Sequence, residues 1–301
     1  MITNEPSSLL EQVPDSEPDF PGPTVSDRGA QVPDPDNPPW GVLMAALAWA
    51  MSIAFLLLVP LLFIVPYIIS LAAKSGLPPP EVLATDKIFL FLSILGVIPA
   101  HLLTLAVAWA IVTRWGRYPF WETLGMTWPK SFGPWKSIAA GVALFGIGIL
   151  ITALYGGRKT ELDALIESSY LTRTVTAFLA VATAPFVEEL IHRGILYPAL
   201  QRAIGAGWAI AIVSLLFAGV HVYQYRTNLG VIAVITLLSV SLTVVRAITG
   251  KLLPSFVIHL VFNGIQSLIL LIQPFFEKAD TVLPNKVPAT YLIETVFRHL
   301  I

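Results

Sequence analysis

The chain has 301 residues, of which 55% are hydrophobic and 12% are charged, and its mean hydropathy is +0.76. Soluble globular domains carry about 25% charged residues, so this composition excludes an ordinary soluble protein and indicates a polytopic membrane protein. The net charge of −1 excludes the basic surface that nucleic-acid binding requires. The absence of cysteine excludes disulfides, iron–sulfur clusters, thiolate metal sites and a cysteine nucleophile.

The first 39 residues differ in composition from the rest of the chain. They contain eight acidic residues, one basic residue and nine prolines. The stretch has no periodic apolar pattern, and it lacks the basic segment and apolar core of a signal peptide. We therefore predict that residues 1–39 form a disordered acidic tail and that the transmembrane body begins at residue 40.

The remaining sequence contains seven apolar runs, and a bilayer requires about 20 residues per span. The predicted spans lie at 41–73, 88–113, 137–157, 174–187, 203–225, 227–245 and 252–276. These runs predict an all-α transmembrane bundle over residues 40–276. The expected number of spanning helices is about seven, within a range of six to eight. Residues 277–301 are expected to form a C-terminal extramembrane segment. The spans predict a multi-pass membrane protein, and the absence of targeting signals suits a plasma membrane or a bacterial inner membrane.

The segment between the second and third predicted spans, residues 114–136, is rich in aromatic and basic side chains. It contains Trp115, Tyr118, Phe120, Trp121, Trp128 and Trp135 together with Arg114, Arg117, Lys130 and Lys136. Trp and Tyr concentrate at the depth of the lipid headgroups, where one part of the ring is apolar and the other is wet. We expect this segment to lie on the membrane surface. The alternative is an ordinary connecting loop.

The fourth apolar run leads directly into a charged cluster, Glu188-Glu189-Leu190-Ile191-His192-Arg193. An ionisable side chain at the centre of a spanning helix costs at least ~2.5–3.5 kcal/mol, so such a cluster indicates a function. On a helix, Glu189 and Arg193 lie one turn apart and can pair, whereas Glu188 points about 100° away. The alternative is a helix end at the membrane surface that carries a solvated ion pair.

Two later spans each carry a histidine in a pair of residues with the same spacing of four. Phe217 precedes His221 near the end of the fifth span, and His259 precedes Asn263 in the last span. Residues four apart share one face of a helix. His101, by contrast, is a lone histidine in an apolar span, and we expect it to be a hydrogen-bonded core residue.

These residue types suit the hydrolysis of a peptide bond. A carboxylate can take a proton from water, and a neutral imidazole can orient that water. An imidazole N–H and an amide NH₂ can stabilise the oxyanion of a tetrahedral intermediate. The sequence lacks a His-Glu-x-x-His motif, a Gly-x-Ser-x-Gly motif and aspartates within the spans. The same chemistry also allows a two-His, one-carboxylate zinc site at Glu188, His221 and His259, as in a metalloendopeptidase.

The motifs Glu-Glu-x-x-x-Arg, Phe-x-x-x-His and His-x-x-x-Asn, in this order on separate helices, resemble the CPBP family. That family includes the CAAX prenyl proteases and bacteriocin-processing or abortive-infection proteins. The resemblance covers about residues 174–265. It implies an intramembrane endopeptidase in which Glu188 activates water with the help of His221. It also implies that His259 and Asn263 form the oxyanion hole.

The resemblance assigns supporting roles to further residues of the motifs. Glu189 and Arg193 would form a pair that shapes the site, and Phe217 would pack beneath His221. The position before the motif arginine is commonly aromatic in the family, whereas this chain has His192 there. The family is described both with and without a metal ion. We favour a site that requires no cofactor, because Asn263 is a poor zinc ligand but fits oxyanion stabilisation; zinc is the alternative.

The expected partners are the lipid bilayer and a peptide or lipidated protein substrate within it, without nucleic acid. Two other function classes stay open at this point. The chain could be a non-proteolytic membrane scaffold or an immunity-type binding protein. It could also be a proton-coupled transporter, since such proteins use buried Glu, His and Arg. The clustering of the candidate residues after residue 187, without a visible repeat, argues against the transporter.

Overall fold

The computed structural model describes residues 31–156 and 161–282, and every regular element within these ranges is helical. The α-helices are α1 (Val42–Leu58), α2 (Leu61–Ser75), α3 (Pro80–Leu83), α4 (Lys87–Leu95), α5 (Val97–Thr113), α6 (Phe120–Thr123), α7 (Pro134–Tyr155), α8 (Glu161–Ser168), α9 (Tyr170–Ala182), α10 (Ala184–Glu189), α11 (Tyr197–Ile204), α12 (Ala206–Tyr225), α13 (Leu229–Thr249) and α14 (Leu252–Val282). A π-helix covers Leu190–Leu196. The predicted all-α class is confirmed.

Seven stretches of these helices are long and apolar enough to cross a membrane. They are Val42–Ser75, Lys87–Thr113, Pro134–Tyr155, Tyr170–Ile204, Ala206–Tyr225, Leu229–Thr249 and Leu252–Phe275. The predicted multi-pass membrane protein with about seven spans is confirmed. The fourth stretch is much longer than the predicted run 174–187, because Glu189 and Arg193, which follow this run, are buried inside the bundle instead of ending the span.

The first two spans are each broken near their middle, and they meet at the breaks. Pro60 separates α1 from α2, and Gly96 separates α4 from α5. A Cβ atom built on Gly96 would lie 2.5 Å from the Cα atom of Pro60. Because no side chain fits there, glycine is required for this close approach of the two backbones.

The fourth span is also irregular, and its irregularity lies next to the charged cluster. Thr183 separates α9 from α10, and Pro185 stands in the first turn of α10. The π-helix Leu190–Leu196 then follows and runs directly into α11, and all seven of its residues are buried. The sequence pattern did not predict this π-helix. Such segments occur frequently at functional sites because they change which way the following side chains point.

The last residues assigned to the acidic tail pack against the body. The Asp36 carboxylate pairs with Arg246 of α13 at 2.6 Å, and the side chain of Trp40 is buried. The contacts of the body therefore begin before the predicted boundary at residue 39. Residues 1–30 lie outside the described residues, as does the part of the predicted C-terminal segment from 283 onward.

The Trp-rich segment 114–136 connects the second and third spans with turns and the short helix α6. Trp115 and Trp135 are 82% and 81% exposed, respectively. An exposed indole ring is what a position at the headgroups requires. The location of this segment on the membrane surface stays a prediction.

Candidate active site

A cavity of about 180 Å³ lies within the helical bundle. Glu188 of α10, His221 of α12, and His259 and Asn263 of α14 all line it. These are the four residues predicted to be catalytic, and they come from three different spans. The structure thus brings them to the wall of one internal space.

The imidazole ring of His259 lies between the two carboxylates of the first motif. Its Nδ1 atom is 3.0 Å from Oε1 of Glu189, and its Nε2 atom is 3.6 Å from Oε2 of Glu188. A carboxylate accepts hydrogen bonds, so Nδ1 donates to Glu189. The Glu189 side chain is fully buried, whereas that of Glu188 is 26% exposed. The two neighbouring glutamates therefore occupy different environments.

Glu189 also pairs with Arg193, and both side chains are fully buried. Nη1 of Arg193 donates to Oε1 of Glu189 at 2.9 Å. The other donors of the guanidinium reach α13: Nε donates to Thr243 Oγ1 at 3.1 Å. Nη2 donates to the hydroxyl oxygen of Ser239 at 2.7 Å and to its carbonyl oxygen at 2.9 Å. Arg193 thus fixes the fourth span to the sixth.

Sequence reasoning missed Ser239 and Thr243, although both contact a predicted site residue. They lie four residues apart on α13 and face the same direction, which is the spacing of the other motifs. Hydroxyl residues are common in membrane helices, so this spacing alone did not single them out. Their oxygen atoms accept hydrogen bonds from Nε and Nη2 of the buried guanidinium.

The ring of Phe217 is the centre of an aromatic and cationic cluster. The guanidinium carbon of Arg193 lies 4.6 Å from its centroid, which is a cation–π contact. The ring centroids of His192, His221 and His259 lie 5.1, 5.1 and 5.9 Å away, respectively. Phe217 therefore orients the three imidazole rings together, in addition to packing against His221.

His221 is held by the backbone of its own helix. Its Nδ1 atom lies 2.8 Å from the carbonyl oxygen of Phe217. Because a carbonyl oxygen only accepts, Nδ1 carries the proton in this contact. In the neutral ring Nε2 is then a hydrogen-bond acceptor on a side chain that lines the cavity.

Asn263 connects α14 to α9 at the edge of the cavity. Its Nδ2 atom donates to the carbonyl oxygen of Ala180 at 3.0 Å. This contact uses one of the two amide hydrogens and fixes the plane of the side chain. The second hydrogen is the one that an oxyanion role would use.

His192 does not line the cavity. It is buried, and its Nδ1 atom donates to the carbonyl oxygen of Glu188 at 2.9 Å. Its Nε2 atom has no hydrogen-bond partner among the described residues. The structure therefore places His192 behind the site, in contact with the backbone of Glu188. His101 is a hydrogen-bonded core residue, as expected, with Nδ1 2.8 Å from Thr183 Oγ1.

The candidate zinc ligands are Glu188, His221 and His259, and their arrangement decides whether they fit a metal ion. Across residues 31–156 and 161–282, no three His, Asp or Glu side chains are grouped as ligands of one metal ion. Glu188 and His259 approach each other, but His221 does not complete a three-ligand group with them. In this arrangement the three side chains do not fit a zinc site, and no catalytic step is assigned to a metal ion.

Part of the chain matches the model of a known protein family. Residues 170–265 match the family model described as Type II CAAX prenyl endopeptidase Rce1-like. No curated protein and no solved structure matches the chain. The matched segment contains all three motifs, from Glu188 to Asn263. The resemblance stated from the motifs is therefore confirmed: over residues 170–265, this integral membrane protein is similar to Rce1-like CAAX prenyl endopeptidases, which supports a membrane protease.

Proposed function

We propose that this protein is an intramembrane endopeptidase that hydrolyses a peptide bond of a membrane-associated or lipidated substrate. The observation that carries the proposal is that Glu188, His221, His259 and Asn263 line one cavity inside the bundle. These side chains supply a base, an acceptor for water and two donors for an oxyanion. The proposal requires no metal ion.

The first step is the activation of water. The Glu188 carboxylate takes a proton from a water molecule, and the water oxygen attacks the carbonyl carbon of the scissile bond. Nε2 of His221 accepts a hydrogen bond from the same water, since Nδ1 is held by the Phe217 carbonyl. Glu188 suits this role because its side chain reaches the cavity and is partly exposed.

The second step is stabilisation of the tetrahedral intermediate and its collapse. The second amide hydrogen of Asn263 and the Nε2 hydrogen of His259 donate to the oxyanion. The His259 part of this role requires a proton on Nε2 in addition to the Nδ1 hydrogen that Glu189 accepts, and the ring lies between the carboxylates of Glu188 and Glu189. The C–N bond then breaks, and the amine leaves with the proton that Glu188 had taken from water.

The lining of the cavity supports an apolar substrate. Besides the polar residues of the site, side chains from α12, α13 and α14 cover its wall, among them Phe217, Val234, Leu238 and Phe262. Ligand sites are typically apolar, with a few polar groups placed at the reacting atoms. A peptide that is lipidated or lies within the bilayer fits this composition better than a polar peptide from solution.

A reporter peptide tests the proposal directly. We would incubate the purified full chain in nanodiscs with a fluorogenic CAAX peptide whose cysteine is S-farnesylated. Glu188→Gln and His221→Ala should lower the cleavage rate at least about a hundredfold, in the range of general acid–base catalysis. The control is Glu122→Gln, since Glu122 is an exposed acid on α6. Cleavage by Glu188→Gln at the wild-type rate would contradict the proposal.

A second experiment addresses the substrate. Peptides of membranes that contain either the wild-type protein or Glu188→Gln would be compared by mass spectrometry. The physiological substrate should accumulate uncut with the variant. If the site variants fold and leave both the peptides and the cellular phenotype unchanged, a binding or scaffold function is the better account.

A further inference from the structure

Residues 35–40, which we name the N-terminal strap, cross one end of the bundle. Three arginines at helix ends contact the strap: Arg114 follows α5, Arg202 is in the last turn of α11 and Arg246 is in the last turn of α13. The strap therefore connects three helices of the second, fourth and sixth spans. None of it lies within the segment that matches the family model.

Arg202 binds the strap with both arms of its guanidinium. Nη1 donates to the side-chain oxygen of Asn37 at 3.0 Å and to the carbonyl oxygen of Pro38 at 2.7 Å. Nη2 donates to the carbonyl oxygen of Trp40 at 2.8 Å. Three contacts from one rigid fork fix the path of the strap over α11.

Arg246 makes the strap part of the buried structure. Its side chain is 1% exposed, and its Nη1 atom lies 2.6 Å from Oδ1 of Asp36. Its Nη2 atom donates to the carbonyl oxygen of Pro35 at 2.9 Å. A buried guanidinium needs a partner of opposite charge, and here the strap supplies it. Gly250, at φ +63, leaves room for the carboxylate, since a Cβ atom there would lie 2.9 Å from Asp36 Oδ2.

Trp40 connects the strap to the site. Its indole is 3% exposed and packs in a core cluster with residues of α1, α5, the π-helix and α11. Its Nε1 atom donates to the carbonyl oxygen of Ile195 at 3.0 Å. Ile195 belongs to the π-helix, which begins directly after Glu189 and contains Arg193.

We infer that the strap clamps the π-helix and that Trp40 is a positioning residue for the site; its role in turnover rests on the proposed function. A π-helix closes its hydrogen bonds over five residues instead of four, and it is rare and occurs mostly as a single turn inserted into an α-helix. Return to the α-helical register would rotate Glu188 relative to α11 by about 100°. The Trp40 indole binds the carbonyl oxygen of Ile195 in the π-helix. Loss of this hydrogen bond therefore favours the return to the α-helical register. When a catalytic carboxylate is misplaced, the reaction becomes much slower even though the substrate still binds.

The test compares Trp40→Phe with Trp208→Phe in the full chain in nanodiscs. Trp40→Phe keeps a packed ring and removes the N–H donor. Trp208 of α12 is 70% exposed, so it controls for the loss of an indole. With the farnesylated reporter, Trp40→Phe should lower kcat about tenfold and leave KM within about twofold. Hydrogen–deuterium exchange should become faster in residues 188–197 in this variant and stay at the wild-type rate in the control.

The two readouts separate the clamp from the proposed function. If the wild-type protein does not cut the reporter, the proposed substrate class fails, and exchange in residues 188–197 still decides the clamp. If residues 188–197 of the Trp40→Phe variant exchange at the wild-type rate, the inference is overturned, even if the variant melts at a lower temperature. Arg202→Gln is the second variant, since it releases the strap from its exposed side without changing a buried ring. Arg202→Gln should also speed up exchange in residues 188–197, by less than Trp40→Phe does. If Arg202→Gln leaves this exchange at the wild-type rate, the result counts against the clamp.

Discussion

Glu189 accepts a hydrogen bond from Nδ1 of His259 at 3.0 Å, although the two residues lie 70 positions apart. The same carboxylate oxygen accepts from Arg193 at 2.9 Å. The second glutamate of the motif therefore orients His259 and neutralises a buried guanidinium. Glu188, one residue earlier, reaches the cavity and has its carboxylate oxygen 3.6 Å from the other nitrogen of the same ring. Glu189 is therefore tied to the buried partners of the site, whereas Glu188 is the glutamate for which we propose the chemical role.

This division predicts different effects of two isosteric substitutions. Glu189→Gln leaves Arg193 buried without its counter-charge and should lower the free energy of unfolding by about 3–5 kcal/mol. Glu188→Gln should change it by about 0.5 kcal/mol or less, because that side chain is partly exposed. Thermal unfolding of both variants in nanodiscs measures the difference. Equal destabilisation by the two substitutions would show that the glutamates are not divided in this way.

His192→Phe should be tolerated. A phenyl ring keeps the packing against Phe217, and the Nε2 atom of His192 contacts no described hydrogen-bond partner. The loss of the bond to the Glu188 carbonyl should cost about 1 kcal/mol of stability. We expect reporter cleavage within about threefold of the wild type, as for a residue that contacts no substrate. A hundredfold loss in a folded variant would place His192 in the catalytic machinery.

Asp36→Asn should destabilise the protein although the residue lies in the stretch assigned to the tail. The substitution removes the charge that faces the buried Arg246. We expect a loss of about 1.5–3 kcal/mol, the range for a hydrogen bond to a charged group. The control is Glu122→Gln, which should leave the unfolding temperature unchanged. A double-mutant cycle with Arg246→Met measures the coupling, and a coupling near zero would mean that the pair does not contribute.

Chelator treatment tests the metal-free mechanism. Purified active protein should contain less than stoichiometric zinc and should keep its cleavage rate after incubation with a chelator and removal of the released metal. The reason is that Glu188, His221 and His259 are not grouped as three ligands of one ion. Stoichiometric zinc whose removal abolishes cleavage, and whose return restores it, would replace the base mechanism by a zinc mechanism.

The spans and the polar motifs could be predicted from the sequence because both are local patterns. Apolar runs give the seven spans, and a spacing of four residues places His259 and Asn263 on one face. The π-helix could not be predicted, because its register depends on contacts such as that between Trp40 and Ile195. The composition of residues 1–39 resembled a disordered tail, yet Arg202 and Arg246 bind the end of this stretch from distant parts of the sequence.

Most partners of the polar site residues could not be predicted from the sequence either, because they lie on distant helices. Pairing of Glu189 with Arg193 follows from helix geometry. The contact of Arg193 with Ser239 and Thr243 depends on how α13 packs against the fourth span. The same holds for the amide of Asn263, which bonds to Ala180 of α9.

The central claim is that Glu188 activates a water molecule for attack on a peptide bond inside the cavity. A single-turnover cleavage of the farnesylated reporter in H₂¹⁸O, followed by mass spectrometry of the products, tests this claim most directly. The account predicts one ¹⁸O atom in the new carboxyl group of the wild-type product and no product from Glu188→Gln. A product without ¹⁸O in the single turnover would show that an enzyme carboxylate attacked the peptide and gave up its own oxygen through a mixed anhydride, and this result would contradict the account. Cleavage by Glu188→Gln at the wild-type rate would also contradict it.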